Sequence, residues 1–152
     1  MPNLFHPAWD ADRDDGPFRW RRAFLGRQAG SQQLGASLFA LPPGGATFPL
    51  HAHLSNEELV LVLAGRPTLV EAGGKRELAE GEVVAFPAGR AGAHRLENRT
   101  GSEVRLVLVS TMRAPEVNLM LEDETVWVRG YVPGTEPPAE AIDFRAPLPD
   151  VR

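Results

Sequence analysis

The chain has 152 residues, 43% of them hydrophobic and 24% charged, a composition that suits one globular domain. Its formal net charge is −4, which argues against a nucleic-acid binder because that class needs a clustered basic surface. No cysteine is present, so disulfide bonds and thiolate metal ligands are excluded. The longest aliphatic run, residues 59–64, is too short to cross a bilayer, and the N-terminus has no signal-peptide pattern. We therefore expect a cytoplasmic protein without membrane or nucleic-acid partners.

Residues 1–16, with four aspartates and two prolines, predict an irregular N-terminal arm. Between residues 17 and 132, short apolar runs alternate with turn residues, which is typical of strands and not of long helices. Residues 133–152 carry five prolines and predict a tail that crosses the surface. The segments expected to supply at least eight strands are 17–25, 33–45, 46–53, 57–65, 67–78, 79–89, 93–101, 102–112, 117–121 and 125–132. So many short strands indicate an all-β sandwich or barrel over residues 17–132.

The first strand segment reads PFRWRRAFL and interleaves three arginines with aromatic residues. Arg19, Arg21 and Arg22 could form a basic patch on the surface of the protein. A strand with one solvated face is the stronger interpretation, because a charge run is usually a face in contact with water. The arginines are therefore expected on the outside of the barrel.

Three of the four histidines lie within or at the ends of predicted strands. His51 and His53 are two residues apart, so in an extended strand their side chains leave from the same face. Glu58 begins the next strand after a turn short enough to return its carboxylate to His53. His94 completes the set if the sheet closes to bring it near. Each residue alone has a plain alternative, as a half-exposed histidine or a surface carboxylate, but the combination predicts a metal site.

Three neutral imidazoles and one carboxylate suit Fe, Zn, Mn or Ni and, without sulfur, do not select sharply among these ions. Four protein ligands on an ion that prefers five or six leave positions for water or a substrate. Open positions are typical of a catalytic site more than of a structural one. The expected cofactor is therefore one divalent transition-metal ion whose identity the residues do not settle.

Two stretches of the sequence resemble the paired motifs of the cupin superfamily. The first runs from Gly45 to Gly65 as Gly, five residues, His-x-His, four residues, Glu, six residues, Gly. Both Glu57 and Glu58 fit the permitted gap after the histidines, but only Glu58 leaves six residues before Gly65. The resemblance therefore favours Glu58 as the ligand and keeps Glu57 as the alternative.

The second stretch runs from Gly81 to Asn98 as Gly, five residues, Pro-x-Gly, four residues, His, three residues, Asn. Its one departure from the common pattern is the gap of four residues, in place of two, between Gly89 and His94. Because of this longer gap, His94 matches the common motif less closely than His51 and His53 do. The intermotif stretch, residues 66–80, is short, as in small single-barrel microbial members.

The resemblance covers roughly residues 34–112 and implies a double-stranded β-helix, or jelly roll, with the metal inside one end of the barrel. It implies turn roles for the glycines and Pro87 and a structural position for Asn98. Homodimers formed through the outer sheet faces are common in this superfamily and are expected here. The partner of the site itself is expected to be a small-molecule substrate or ligand.

Strand alternation predicts a mostly apolar cavity around the metal. The residues expected to line it are Phe39, Phe48, Val60, Val62, Phe86, Leu96 and Asn98, with Arg90 at the rim. A phosphate-bearing substrate needs a cationic group, and Arg90 is the one obvious candidate because Arg95 and Arg99 are expected to point outward. This weakens a sugar-phosphate isomerase hypothesis, while an apolar cavity also suits an iron-dependent oxygenase.

Two classes of function remain open. The first is a metal-dependent enzyme of the oxygenase or the isomerase and lyase type that acts on a small polar organic molecule. The second is a non-catalytic binding barrel with a structural metal or none, because one fold hosts many functions. Loss of bound metal together with turnover on substitution of a histidine would distinguish the enzyme from the binding protein.

Overall fold

The computed structural model of the chain describes residues 1–149, so residues 150–152 of the predicted tail lie outside the described residues. The strands are β1 (Ala11–Asp15), β2 (Phe18–Ala23), β3 (Leu34–Leu41), β4 (His51–His53), β5 (Glu58–Ala64), β6 (Thr68–Glu71), β7 (Gly74–Glu77), β8 (Val83–Phe86), β9 (Arg95–Glu97), β10 (Val104–Thr111), β11 (Glu116–Met120), β12 (Thr125–Arg129) and β13 (Asp143–Pro147). One short α-helix, α1, covers Leu25–Ala29, and Arg90–Gly92 form a turn of 3₁₀ helix. None of the helices in residues 1–149 is long and apolar enough to cross a membrane.

Two walls of antiparallel strands face each other around the core. The first wall is a six-stranded sheet with the order β1-β2-β3-β10-β5-β8. The second wall contains the sheets β13-β12-β11-β4 and β7-β6-β9. Isolated bridges join these two sheets, one between Ala46 and Glu97 and one between His51 and His94. This architecture confirms the predicted all-β jelly-roll barrel.

Alternation along the strands decides which side chains fill the barrel. On β5, Val60 and Val62 point inward and are 0% and 2% exposed, and they lie opposite Leu108 and Leu106 of β10. The buried members of this interior cluster are Phe39, Leu41, Val60, Val62, Leu69, Leu78, Phe86, Leu96, Val104, Leu106 and Leu108. Burial of one such side chain contributes about 1.5–3 kcal/mol. The cluster therefore holds the two walls together and forms a rigid floor below the histidines.

Both terminal segments contain strands where an irregular arm and a tail were expected. Residues 11–15 form β1 and pair along their whole length with β2, and residues 143–147 form β13 beside β12. The acidic composition of the first segment concealed its strand, because the neutralising charge comes from the partner, with Asp12 opposite Arg21. Opposite charges on paired strands stabilise a sheet, and such a contact is visible only once the pairing is known.

Candidate metal centre

Strand β4 carries two histidines on one face, as their spacing predicts. The ring centroids of His51 and His53 are 5.0 Å apart. Along one edge of β4, Met120 and Asn118 of β11 pair with His51 and His53. Along the other edge, the backbones of His51 and His94 exchange two hydrogen bonds of 3.3 and 2.9 Å. Because both edges are paired, the strand presents its imidazoles from a rigid base.

The carboxylate of the site comes from Glu58, the first residue of β5. Its Oε2 atom lies 3.3 Å from Nε2 of His53 and 3.2 Å from Nε2 of His94. Glu57, the alternative that the spacing left open, has an exposed side chain, because successive residues at a strand end point to opposite faces. The structure therefore brings Glu58 to the histidines and leaves Glu57 outside.

His94 reaches the site in spite of the long gap that precedes it. Residues 90–92 take up the extra length as a turn of 3₁₀ helix, entered through Gly89 at φ +103°, a conformation that favours glycine. The Gly89 N–H donates to the carbonyl oxygen of His53 at 2.7 Å, which holds this loop against β4. The His94 ring stacks on Phe86 with 3.7 Å between centroids and an angle of 8° between planes. His94 is thus buried beside the other two histidines.

The ring protons of two histidines are directed away from the centre of the site. Nδ1–H of His51 donates to the Pro49 carbonyl at 2.8 Å, and Nδ1–H of His94 donates to the Gly92 carbonyl at 2.9 Å. Since a carbonyl oxygen only accepts, the proton lies on Nδ1 and the Nε2 lone pair is free to bind a metal. The buried Nε2 atoms of His53 and His94 have no hydrogen-bond partner among the described residues.

The spacing of these atoms fits a single ion. One donor atom from each of His51, His53 and Glu58 lies within 4.8 Å of the other two. Donors that each lie about 2.1 Å from a common ion are about 3.0–3.5 Å from one another. The 3.3 and 3.2 Å separations from the Glu58 oxygen to His53 and His94 fall in this interval. The residues present therefore fit one divalent transition metal bound by nitrogen and oxygen.

Electrostatics keep His51 and Glu58 in the protonation states that bind a metal. Burial, followed by the charges of His94 and His53, lowers the pKa of His51 to about 3, so its ring is neutral at neutral pH. Burial raises the pKa of Glu58, but the close contacts with His53 and His94 and their charges outweigh it and hold that pKa well below its usual range. A neutral imidazole and an ionised carboxylate are the forms that coordinate metals.

A layer of polar side chains behind His53 supports the site and was not predicted from the sequence. The fully buried carboxylate of Glu116 has one oxygen 3.6 Å from Nδ1 of His53, and it accepts a hydrogen bond from the amide of Asn56. The amide nitrogen of Asn118 lies 2.7 Å from the same Nδ1 atom. The alternation of Glu116 and Asn118 with apolar residues assigns them to one face of a strand. It does not reveal that this face packs behind a histidine.

The predicted lining residues divide between the site and the core below it. Phe86 stacks on His94, and the Phe48 ring lies 5.9 Å from that of His51 at an angle of 83°. The members that lie in the interior cluster are Phe39, Val60, Val62, Phe86 and Leu96. The apolar surround is therefore present, with Phe48 and Phe86 as the two rings in contact with the histidines.

Of the two polar residues predicted near the cavity, Asn98 lies away from the candidate site. Asn98 is buried, but its amide donates to the carbonyls of Leu41 and Ser102 at 2.9 and 2.7 Å. Leu41 is the last residue of β3, at the end of the barrel opposite the candidate ligands, so Asn98 supports a turn there and not the pocket. Arg90 lies in the 3₁₀ turn that precedes His94 with an exposed side chain, and its position at the rim stays a prediction. The alternation of inward and outward side chains that starts at His94 does not extend to Asn98, because strand β9 ends at Glu97.

The cationic group inside the barrel is Arg22, which was expected on a solvated face. Its guanidinium donates two hydrogen bonds to Oγ of buried Ser37, of 3.0 and 2.8 Å, while the side chain of neighbouring Arg21 is exposed on the other face of β2. Trp20, Arg22 and Phe24 share the inner face. The sequence signal for this position was the alternation of Arg22 with two aromatic residues. Alternation with aromatic residues indicates a strand face that is buried, even where one of its residues is charged.

The sequence of residues 37–110 matches the family described as the cupin domain, a span that includes both motifs. This chain is a cupin. No curated protein matches its sequence.

Solved structures with the same fold extend over almost the whole cupin chain. A sugar phosphate isomerase of the cupin superfamily from Silicibacter pomeroyi is 23% identical with a TM-score of 0.78, covering 99% of this chain and 97% of its own. A candidate sugar phosphate isomerase from Acidithiobacillus ferrooxidans is 22% identical with a TM-score of 0.78, covering 95% and 86%. The polyketide cyclase RemF from Streptomyces resistomycificus is 25% identical with a TM-score of 0.64, covering 80% and 85%. These likenesses show that the terminal strands belong to the same fold as the barrel.

Proposed function

We propose that this cupin is a metal-dependent enzyme whose divalent ion is held by His51, His53, Glu58 and His94. The observation that supports the proposal is the convergence of two buried, unpartnered Nε2 atoms on one oxygen of Glu58. Buried polar atoms in a purely structural cluster normally have hydrogen-bond partners. Donor atoms left without partners and directed at a common point are instead what a metal site requires.

The residues around the donors have separable roles. Phe86 and Phe48 cover the imidazoles of His94 and His51 and exclude water from that side. Glu116 lies behind Nδ1 of His53 and orients its ring. A bound ion of this kind supplies Lewis-acid polarisation of a substrate oxygen. The floor of packed aliphatic side chains restricts the substrate to the mouth of the barrel.

We favour isomerase or lyase chemistry on a small polar organic molecule over oxygenase chemistry. The two structural relatives that share nearly the full length of the chain are named as a sugar phosphate isomerase and a candidate one. The absence of an inward-facing cation weakened this hypothesis at the level of sequence, and Arg22 removes that objection. The predicted homodimer and cytoplasmic location stay predictions.

Elemental analysis of protein purified without an affinity tag tests the proposal directly. Wild-type protein is expected to hold about one transition-metal ion per chain, whereas His51→Ala and His94→Ala lose the ion because each removes a ligand. The matched control is His6→Ala, since His6 is the remaining histidine and its side chain is exposed. Circular dichroism confirms that each variant keeps its strands.

Two outcomes contradict the proposal in different ways. Wild-type protein that takes up none of Fe, Zn, Mn or Ni removes the metal centre altogether. Protein that holds the ion in His51, His53, Glu58 and His94 but turns over no sugar phosphate or hydroxy acid is a binding protein with a structural metal. Retention of the ion by both histidine variants would assign it to other ligands.

A further inference from the structure

The Arg22 side chain extends toward the end of the barrel that contains the proposed metal ligands. On the first wall, Glu58 lies opposite Ser110 of β10, and Ser110 lies opposite Gly35 of β3. Arg22 of β2 lies opposite Phe39 of β3 and extends along the inner face to Ser37, two residues from Gly35. The backbones of Arg22 and Glu58 are separated by three steps of about 4.8 Å between strands and by four residue positions along β3, from Gly35 to Phe39. Both side chains project from the inner face, and aromatic rings connect them, because Phe39 below the guanidinium contacts Phe48, which contacts His51.

The guanidinium of Arg22 is held in place but lacks a counter-ion. It donates to Ser37 at 3.0 and 2.8 Å and lies over the rings of Phe24 and Phe39, 4.4 and 4.9 Å from their centroids. Within residues 1–149 no carboxylate lies within ion-pair distance of it. A buried charge without a partner costs free energy. A stacked, oriented guanidinium is also ready to bind an anion through two parallel hydrogen bonds.

A second arginine with a buried, unpartnered donor lies on the opposite wall. Arg129 of β12 lies with its guanidinium carbon 4.2 Å from the centroid of Trp127 and donates to Oδ1 of Asn118 at 2.5 Å. Its buried Nε atom has no hydrogen-bond partner among the described residues. Burial lowers the pKa of Arg22 to about 10, Glu58 opposes that shift, and the charges of Arg27 and Arg129 add to it. Because Asn118 also contacts Nδ1 of His53, this second cation lies beside the proposed metal site.

We propose that Arg22, assisted by Arg129, binds the anionic group of the substrate, a phosphate or a carboxylate, while the other end of the substrate lies at the metal centre. The orientation of the substrate rests on the proposed function, but the anion site consists of side chains of the chain alone. Ser37 positions Arg22, and Phe24 and Phe39 hold its plane. The site therefore selects a compact molecule with one anionic end and one oxygen-bearing end.

Isothermal titration calorimetry with inorganic phosphate and with glycolate tests this inference on the metal-loaded protein and on chelator-treated protein. Arg22→Gln is expected to weaken the binding of the preferred anion at least about tenfold, because a charge-assisted bidentate contact is lost. Arg22→Lys keeps the charge without the fork and is expected to lose a smaller factor. The matched control is Arg21→Gln, an exposed arginine on the outer face of the same strand, which is expected to stay within about twofold of wild type. Preference for phosphate or for glycolate identifies the class of anion.

Equal affinities of wild type and Arg22→Gln for both anions would overturn the inference, as would wild-type protein that binds neither anion at about 10 mM. If Arg22→Gln does not fold, Arg22→Lys decides, and an unchanged affinity in that variant contradicts a bidentate contact. Metal content measured on the same samples separates this inference from the proposed function. Full metal occupancy with an unchanged anion affinity removes only the anion site, whereas a wild type that takes up no metal removes only the metal centre.

Discussion

The two ends of the barrel are built from the same strands but treat their buried polar atoms in opposite ways. At one end, the side-chain amide of Asn98 donates to two backbone carbonyls, and Oδ1 of Asn98 accepts a hydrogen bond of 3.0 Å from the N–H of Thr100. Gly65 closes a turn at the same end with φ +84°. This position requires glycine because an added Cβ would lie 2.9 Å from a side-chain carbon of Val104. At the other end, Nε2 of His53 and of His94 are buried without a hydrogen-bond partner.

The contrast separates stability from function within one small domain. The end that contains Asn98, where the polar atoms are hydrogen-bonded, fixes the turns of the barrel. The interior cluster between the two ends supplies most of the favourable free energy of folding. The mouth with Arg22, His53 and His94 carries unpaired polar groups, each of which costs stability. Such groups persist where the rest of the fold compensates for them and a ligand uses them.

Truncation of the core between the two ends is the largest perturbation we predict. Leu106→Ala is expected to lower the free energy of unfolding by about 2–5 kcal/mol, because it leaves a cavity in the packed interior. Leu106 is 0% exposed, whereas Leu34, the matched control, is 55% exposed and is expected to cost little when changed to Ala. Urea unfolding measures both, and metal content under folding conditions is expected to remain at the wild-type value. A loss of metal in folded Leu106→Ala protein would show that floor and mouth are not separable.

Removal of the charge behind His53 is expected to affect the mouth alone. In Glu116→Gln the carboxylate near Nδ1 of His53 becomes a neutral amide, so the ring is less basic and less firmly oriented. Loss of such a supporting carboxylate lowers metal affinity by about 10–100-fold. Competition with a chelating indicator measures the change, with Glu57→Gln as the control because Glu57 is exposed and outside the site. Equal losses in both variants would point to a general charge effect and not to support of His53.

The sequence predicted what short spacing controls. His51 and His53 share a face because they are two residues apart, and Glu58 is distinguished from Glu57 by a count of six residues to Gly65. The two motifs also predicted the barrel, because their turn glycines and apolar strands follow one another in a fixed order. These features are local, so they can be read from a single segment.

The features that could not be predicted depend on contacts between segments far apart in the chain. Arg22 faces inward because β2 pairs with β3 in a register that places it opposite Phe39, and composition alone placed it in a solvated cluster. Glu116 reaches His53 only because β11 pairs with β4. The acidic β1 and the proline-rich β13 are strands because neighbours at the sheet edges accept them. The fold and the candidate ligands could therefore be predicted from sequence, whereas the polar support behind His53 and the proposed anion site could not.

Proton competition at His53 gives the smallest effect that we predict and probes the mouth without any substitution. Burial lowers the pKa of His53, but its contacts with the carboxylates of Glu116 and Glu58, at 3.6 and 3.3 Å, outweigh it and raise the pKa to about 9 in the metal-free protein. The ring is therefore protonated at neutral pH, and a metal must displace that proton to bind. Metal affinity is expected to rise by up to about tenfold per pH unit from pH 7 to 9 and then level off.

The stability of the metal-free protein is expected to change in the opposite direction over the same interval. A proton held more tightly in the folded than in the unfolded state stabilises the fold fully below the unfolded pKa of about 6.5, and this contribution is lost as the pH rises through about 9. Melting temperatures of chelator-treated protein should therefore fall between pH 7 and 9, while calorimetry in buffers of different ionisation enthalpy should show proton release on metal binding near pH 7.5. Proton release that is absent at pH 7.5 would mean that His53 is already neutral. In that case the carboxylates on either side of its ring would not control how the mouth of the barrel takes up its ion.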